Sequence, residues 1–307
     1  MTVGGDRQAA RAEPGKRGRR LASALAACAL VVLGFHGMAV AATTLRFFPA
    51  GSIYEYRWKL LERVLAYERD TAGEVRLQPY AEDVTQNRGI SLLQAGVIDV
   101  IALGTNKERE RLMRPVRIDI LRGIVGFRLL VIRADDQPRI ARIDAAALHR
   151  ELSFGLNSQW ADLPIMRANG YTVVTTPVYE NLFEMLAAGR FDAFPRGLNE
   201  ARRELEERKL TYPRLAIERS KALFFAFPVY FWVNKNNPAL AQRIERGLRR
   251  ALADGSFRRL FDDYHAAEIA ALRSEKRQVI HLTNPTLPAG TPLPDTGWWW
   301  PRSTPGE

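Results

Sequence analysis

Cysteine is almost absent from this chain of 307 residues, in which Cys28 is the only one. A single thiol cannot close a disulfide within the chain, so a disulfide framework is excluded. Histidine is also scarce, and His149, His265 and His281 stand far apart, without the spacing that metal ligands require. The sequence also lacks a phosphate-binding glycine loop and a nucleophile elbow. We therefore expect no metal, no cofactor and no enzymatic activity.

Long apolar runs are absent as well, except near the amino terminus. Residues 1–20 are polar and basic, residues 21–35 are apolar, and Ala39 and Ala41 form a small-x-small site. This three-part order is typical of a secretory signal peptide, residues 1–41, cleaved after Ala41. The sequence therefore predicts export to the periplasm, with a mature chain that contains no cysteine.

Two other interpretations of the amino terminus stay open. Residues 25–28 match a lipoprotein cleavage box, which would attach the protein to the membrane by a lipid at Cys28. That cut would leave the apolar residues 29–32 on the mature protein, so cleavage after Ala41 is favoured. Residues 21–42 are also just long enough to remain as an uncleaved anchor across a bilayer.

The net charge of +11 does not indicate a nucleic-acid-binding protein. The basic residues are interleaved with acids, as in residues 202–209, instead of forming a basic patch. We expect a solvated surface with some attraction for anions, and no nucleic-acid partner. With 47% hydrophobic and 26% charged residues, the composition is that of a globular protein.

A short pattern occurs twice, at residues 92–100 and 185–193. Each copy reads as the end of an apolar helix, a glycine suited to a left-handed helix cap, and a strand that opens with a hydrophobe, an aspartate and a small residue. Two such helix-to-strand junctions indicate two α/β lobes of similar design. Paired lobes usually hold a ligand in the cleft between them.

Alternating strands and helices continue through both halves and set the predicted domains. Long apolar strands near residues 126–132 and 223–233 are predicted to cross between the lobes. The expected ranges are a first lobe of residues 42–131 and 228–280, a second lobe of residues 132–227, and a Pro/Trp-rich tail of residues 281–307.

This order resembles the bacterial extracellular solute-binding proteins of family 3, the periplasmic amino-acid-binding components of ABC transporters. The paired junctions and the stretch from Asn237-Pro238 to Gly255-Ser256-Phe257 carry the resemblance, which covers residues 43–270. It implies an α/β, two-lobed periplasmic binding protein fold of type 2. Each lobe would be a mixed, mostly parallel sheet flanked by helices, and two crossover strands would form the hinge.

The resemblance also implies an arginine that binds the carboxylate of the ligand shortly after the first aspartate-containing strand. The matching position is Arg111, and the neighbouring Arg109 takes the role if the loop differs in length. A solvated, charged helix face is the alternative for this run. The family places hydroxyl residues just before this arginine, where the chain offers Thr105 and Asn106.

In the second lobe, Asn157 and Ser158 precede a predicted helix, whose free N–H groups favour an anion. Both residues could equally be simple caps. Trp160 is expected either to stack on a ligand or to pack in the core. Tyr54, with Tyr56, is expected to cover an apolar part of the ligand.

Arg196 follows the second junction, where amino-acid binders commonly carry an acid for the ammonium group of the ligand. If Arg196 faces the cleft together with Arg111, the pocket is cationic and suits an anionic ligand. The alternative is a local ion pair between Arg196 and Glu200.

The resemblance implies a monomeric periplasmic protein that closes on a small polar, carboxylate-bearing ligand by hinge motion and delivers it to a membrane permease. A sensing module that reports to a membrane partner is the first alternative. An enzyme on the same scaffold is the second.

Overall fold

The computed structural model describes Met1 and residues 42–48, 54–82 and 84–299, and those from Ala42 onward belong to one compact unit. The predicted signal peptide and Cys28 lie outside the described residues. Within the described part of the chain, no helix has both the length and the apolar character needed to cross a bilayer.

The first sheet has five strands in the order β2-β1-β3-β10-β4. Their bounds are β1 Thr43–Phe47, β2 Val75–Pro79, β3 Val100–Gly104, β4 Arg114–Val116 and β10 Val229–Val233. The parallel strands β2, β1 and β3 are joined by β10, which runs antiparallel to β3 and β4. All five residues of β3 are buried, as expected for a continuous apolar strand that is covered on both faces.

Helices cover this sheet, and their bounds are α1 Glu55–Ala66, α2 Arg69–Ala72, α3 Gln86–Gln94, α4 Lys107–Leu112, α10 Pro238–Ala253 and α11 Ser256–Ser274. Helix α10 begins as predicted, because Asn237 accepts a hydrogen bond from the Leu240 N–H at 3.1 Å and Pro238 occupies the first turn. It packs on α1 at Gly247, where a Cβ would lie 2.2 Å from the Val64 carbonyl oxygen.

The second sheet has four strands in the order β11-β9-β5-β8, and a separate parallel pair, β6-β7, lies beside it. The bounds are β5 Phe127–Arg133, β6 Ser153–Asn157, β7 Thr172–Thr176, β8 Phe194–Gly197, β9 Leu215–Phe224 and β11 Gln278–His281. Strand β5 runs antiparallel to β8 and β9, and β11 runs parallel to β9. The accompanying helices are α5 Gln137–Arg142, α6 Leu148–Glu151, α7 Asp162–Ala168, α8 Tyr179–Ala187 and α9 Leu198–Arg208.

The chain passes between the two sheets three times, from β4 to β5, from β9 to β10 and, by way of α10 and α11, from β10 to β11, which gives a mixed α/β fold with two lobes. Both β5 and β11 lie wholly in the second sheet. The predicted lobe boundary at residue 131 cuts through β5, and the predicted first lobe includes residues 278–280, which belong to β11 of the second sheet. The division into residue ranges therefore stays a prediction.

The two repeated junctions have the same local geometry. Gly96 and Gly189 follow helices α3 and α8 and have φ of 71° and 72°, the left-handed region that favours glycine. The second strand starts later than predicted, at Phe194, after a single bridge at Ala193.

The aspartate of each junction holds a neighbouring strand. Asp99 accepts a hydrogen bond from the Arg46 N–H at 2.7 Å, and Asp192 accepts one from the Ser153 N–H at 2.9 Å. Because these partners belong to β1 and β6, both aspartates are explained by strand pairing.

Candidate functional site

A cavity of about 850 Å³ is lined by residues of both lobes. The first lobe contributes residues of α1, β3 and α4, and the second contributes residues of α7, β8 and α9. The polar side chains that line the cavity include Tyr54, Arg57, Gln86, Arg109, Arg128, Asn157, Asp162, Arg196, Glu200 and Glu204.

Two arginines on the first-lobe side have only neutral acceptors. Arg57 donates from Nη1 to the Ala102 carbonyl at 3.0 Å, and Arg109 donates from Nη1 to the Gly104 carbonyl at 2.8 Å and from Nη2 to Gln86 Oε1 at 2.7 Å. Within residues 42–48, 54–82 and 84–299, no carboxylate pairs with either guanidinium. Burial lowers the pKa of Arg57, and it lowers that of Arg109 to about 10. Neither cation therefore has a direct ion pair, although the charge of Glu200 acts on Arg57 and those of Asp162 and Glu108 act on Arg109 against the effect of burial.

The start of α4 decides which arginine of this run faces the cavity. Asn106 accepts a hydrogen bond from the Arg109 N–H at 2.7 Å and so caps the helix. Arg109 is 5% exposed and lines the cavity, whereas Arg111 is exposed and lies outside it. Residues two positions apart on a helix point in nearly opposite directions. Arg109 therefore points to the cavity, and Arg111, the position expected from the sequence, points to solvent.

Arg196 lines the cavity from the second lobe, but two carboxylates already neutralise it. Its Nε and Nη2 donate to both oxygens of Glu204 at 2.7 and 2.6 Å, and Glu200 lies 3.0 Å from Nη2. Burial opposes the charge, yet Glu200 and Glu204 outweigh it and raise the pKa of Arg196. The hypothesis of a cationic pocket built by Arg111 and Arg196 is therefore not supported, and the alternative of a local pair describes Arg196.

A second buried ion pair continues this network. Arg128 of β5 is 2% exposed and lies 2.7 Å from Asp162 and 3.8 Å from Glu200. The rings of Phe225 and Phe227 cover its guanidinium at 5.2 and 5.4 Å. Burial alone would raise the pKa of Glu200, but Arg196, Arg128 and Arg57 keep it below its usual value. The second-lobe wall thus carries an excess of carboxylates.

Aromatic rings form part of the wall. The ring of Tyr54 lies 4.1 Å from the Arg57 guanidinium, and its hydroxyl is 3.5 Å from Glu200 Oε1. The Trp160 ring faces the guanidinium of Arg196 at 4.5 Å and stacks on Phe194 with 6.1 Å between centroids. Both rings therefore line the cavity and also hold buried arginines in place.

Two predicted site residues at the end of β6 differ in their position relative to the cavity. Asn157 lines the cavity, but its side chain donates to the Pro177 carbonyl and accepts from the Gln159 N–H, both at 2.9 Å. Ser158 is exposed and outside the cavity, because its N–H pairs with Thr176 of β7 and the helix begins only at Asp162.

Four of the seven predicted site residues, Tyr54, Asn157, Trp160 and Arg196, come together at the cavity. Thr105 is fully buried behind the wall and does not line it, so Arg111, Ser158 and Thr105 are placed elsewhere.

Sequence reasoning missed Arg57, Arg128, Asp162 and Glu204 as cavity residues. The signal for Arg128 was available, because it is a single charge inside the apolar run of β5. Among the described residues, no group of three histidine, aspartate or glutamate side chains could hold a metal ion.

Solved structures with the same fold include amino-acid-binding proteins. An ancestral arginine-binding protein bound to arginine has a TM-score of 0.54 and 16% identity, covering 72% of this chain and 97% of its own. A periplasmic binding protein from Salmonella typhimurium with high arginine specificity has a TM-score of 0.53 and 16% identity, and the match covers 73% of this chain and 99% of that protein. A putative binding component of an ABC transporter from Wolinella succinogenes, complexed with lysine, has a TM-score of 0.53 and 15% identity, and the match covers 73% of this chain and 96% of that protein.

At this identity the likeness shows the fold, and the predicted two-lobed fold of periplasmic binding proteins is confirmed. No protein-family model matches the sequence, and no curated protein matches it at a significant level.

Proposed function

We propose that the protein is a periplasmic solute-binding protein that encloses a small, amino-acid-like ligand in this cavity and supplies it to an ABC-type permease. The observation that carries the proposal is the pair of buried guanidiniums, Arg57 and Arg109, which line the cavity without a carboxylate partner. A ligand carboxylate would provide the missing charge and occupy the free N–H groups.

The opposite wall favours a ligand that also carries a positive group. Asp162, Glu200 and Glu204 share two arginines, Arg128 and Arg196, so carboxylates outnumber guanidiniums there. A purely anionic ligand with several carboxylates would meet this excess of negative charge at its second end. An amino acid or a related zwitterion fits both walls, and the similar structures bound to arginine and lysine are in accord with this choice.

A thermal-shift panel followed by calorimetry tests the proposal. The panel contains neutral, basic and acidic amino acids, their decarboxylated amines, and dicarboxylates without an amino group. We expect at least one amino acid to raise Tm, with its decarboxylated amine inactive because the carboxylate is lost. If no amino acid binds, or if the amine binds as well as its parent, the proposed function is wrong.

The chain offers a matched pair of arginine variants for the compound that binds. Arg109→Gln should weaken binding at least about 30-fold, since a charge-assisted contact to a buried cation is worth about 2 kcal/mol or more. Arg111→Gln changes the same residue type two positions away, outside the cavity, and should leave Kd within about twofold. Equal effects of the two variants would contradict the assignment of Arg109.

A further inference from the structure

We infer that residues 282–299, here called the strap, tie the two lobes together across their hinge and limit how far the cavity can open. The strap follows β11, which is the edge strand of the second sheet. It is bonded in turn to the end of the second-lobe helix α7, to the β9–β10 crossing, to the first-lobe helix α4, to the β4–β5 crossing and to α11. This restraint goes beyond the proposed function and does not depend on the identity of the ligand.

The second-lobe attachment is at the end of α7. Asn169 donates from Nδ2 to the Thr283 carbonyl at 2.7 Å and accepts from the Thr283 N–H at 3.0 Å. The neighbouring Leu282 N–H donates to the Phe224 carbonyl at 2.8 Å, which continues the pairing with β9. The strap therefore starts firmly fixed to the second lobe.

The first-lobe attachment follows within three residues. At the start of α4, the Lys107 N–H donates to the Thr286 carbonyl at 2.9 Å, and Lys107 Nζ donates to the Pro285 carbonyl at 3.1 Å. Three residues span at most about 10 Å when fully extended. The end of α7 and the start of α4 therefore cannot move far apart without breaking one of these two attachments.

The crossing from β9 to β10 is held by Asn284. Its Nδ2 donates to the Ala226 carbonyl at 2.8 Å, and its Oδ1 accepts from Thr286 N–H and Oγ1 at 3.0 and 2.7 Å. Ala226 lies between the two strands, where a hinge motion would have to change backbone angles.

The crossing from β4 to β5 is held by the end of the strap. Trp299, 1% exposed, donates from Nε1 to the Arg122 carbonyl at 2.8 Å, and Asp295 pairs with the Arg122 side chain at 2.5 Å. Arg122 has a φ of 50°, a left-handed conformation that non-glycine residues rarely adopt, so this turn depends on its surroundings. A Cβ on Gly123 would lie 2.8 Å from Pro294, which shows how closely the strap covers the turn.

Double electron–electron resonance, which measures the distance between two spin labels, tests this restraint in the ligand-free full chain. In a Cys28→Ser background the chain has no other thiol, so spin labels can be placed at Glu62→Cys on α1 and Glu184→Cys on α8, both exposed. The combined substitution Asn169→Ala and Asn284→Ala removes the strap bonds to α7 and to the second crossing. We expect the distance distribution to broaden and shift to longer values.

Thr291→Ala is the matched control, because Thr291 Oγ1 donates only to the Pro288 carbonyl inside the strap. Its distribution should superimpose on that of the parent protein. If the double variant stays folded by circular dichroism and also superimposes on the parent, the strap does not restrain the lobes and the inference is wrong.

Hydrogen exchange of the unsubstituted protein gives an independent test should the double variant fail to fold. The amides of Lys107 and Thr283 should exchange much more slowly than those of residues 287–293, which join the two ends of the strap. Equal exchange at all these positions would overturn the inference without any substitution.

Discussion

At the scale of single residues, the buried arginines fall into two classes. Arg196 is 2% exposed and donates two hydrogen bonds to Glu204, itself 1% exposed. Taking both charges out of water is costly, and only close pairing offsets that cost. Arg57 and Arg109, 8% and 5% exposed, are also buried but donate to neutral acceptors. The first class therefore maintains the wall, and the second is available to a ligand.

Removing one member of the Arg196 pair should be strongly destabilising. We expect Arg196→Met to lower the free energy of unfolding by about 3 to 5 kcal/mol, because it leaves a buried carboxylate without its cation. Adding Glu204→Leu should recover part of this loss. Urea unfolding of the single and double variants measures both effects.

The exposed pair Arg249–Glu245 on α10 provides the control, since Arg249→Met should cost less than about 1 kcal/mol. The stabilising role of the Arg196–Glu204 pair would be contradicted if Arg196→Met lowered the free energy of unfolding by no more than that. It would also be contradicted if the double variant lost the sum of the two single-variant losses.

Residue types at the site were readable from the sequence, but their directions were not. The run of residues 107–111 contains two arginines, Arg109 and Arg111, in a stretch of alternating charge. Only the cap at Asn106 sets the rotation of α4, and this rotation turns Arg109 toward the cavity. The acid partner of Arg196 was expected at Glu200, which lies 3.0 Å away, and one further helical turn of α9 adds Glu204 in bidentate contact.

At the scale of elements, the contact between α1 and α11 contains a buried histidine. His265 is 1% exposed and packs against the rings of Tyr56 and Phe261, with centroids 4.8 and 5.0 Å away. Within the described part of the chain, neither ring nitrogen forms a hydrogen bond. Burial, assisted by Arg203 and Arg57, lowers the pKa of His265 to about 3. The helices therefore hold the imidazole in its neutral form.

This histidine should make stability depend on pH. The unfolded chain binds a proton at this side chain below a pKa of about 6.5, and the folded chain does so only near 3. Stability is therefore lost as pH falls through this window, by about 2 to 3 kcal/mol at pH 4.5 from this group alone.

His265→Phe keeps an aromatic ring at the contact and removes the titration. The difference in free energy of unfolding between parent and variant should therefore change by about 2 kcal/mol between pH 7.5 and 4.5, in favour of the variant. Exposed His281→Phe serves as the control. A pH-independent difference for the His265 variant would contradict a neutral, buried imidazole.

At the scale of the whole molecule, the chain passes three times between the two lobes, and the cavity draws its walls from both. Ligand binding should therefore couple to closure. A ligand at one hundred times its Kd stabilises the bound form by about 2.7 kcal/mol through mass action alone.

For the amino acid that gives the largest thermal shift, we expect the radius of gyration from X-ray scattering to fall on binding. Arg109→Gln should abolish this compaction at the same ligand concentration. A thermal shift without compaction in the parent protein would indicate binding to a single lobe and would contradict closure.

The sequence by itself determined the kinds of elements, the cap at Asn237, the two left-handed glycines of the junctions and the two-lobed fold, because periodicity, caps and left-handed glycines act over a few neighbouring residues. It also excluded disulfides, since one cysteine cannot pair within the chain. Only the tertiary structure decided that Arg57 and Arg109 line the cavity without an ion pair, and that Arg196 lines it already paired with Glu204 and Glu200. It also placed Trp299, near the end of the proline-rich tail, in the core. The physical reason is that burial and charge pairing join residues far apart in the chain, and no local pattern records which partners meet.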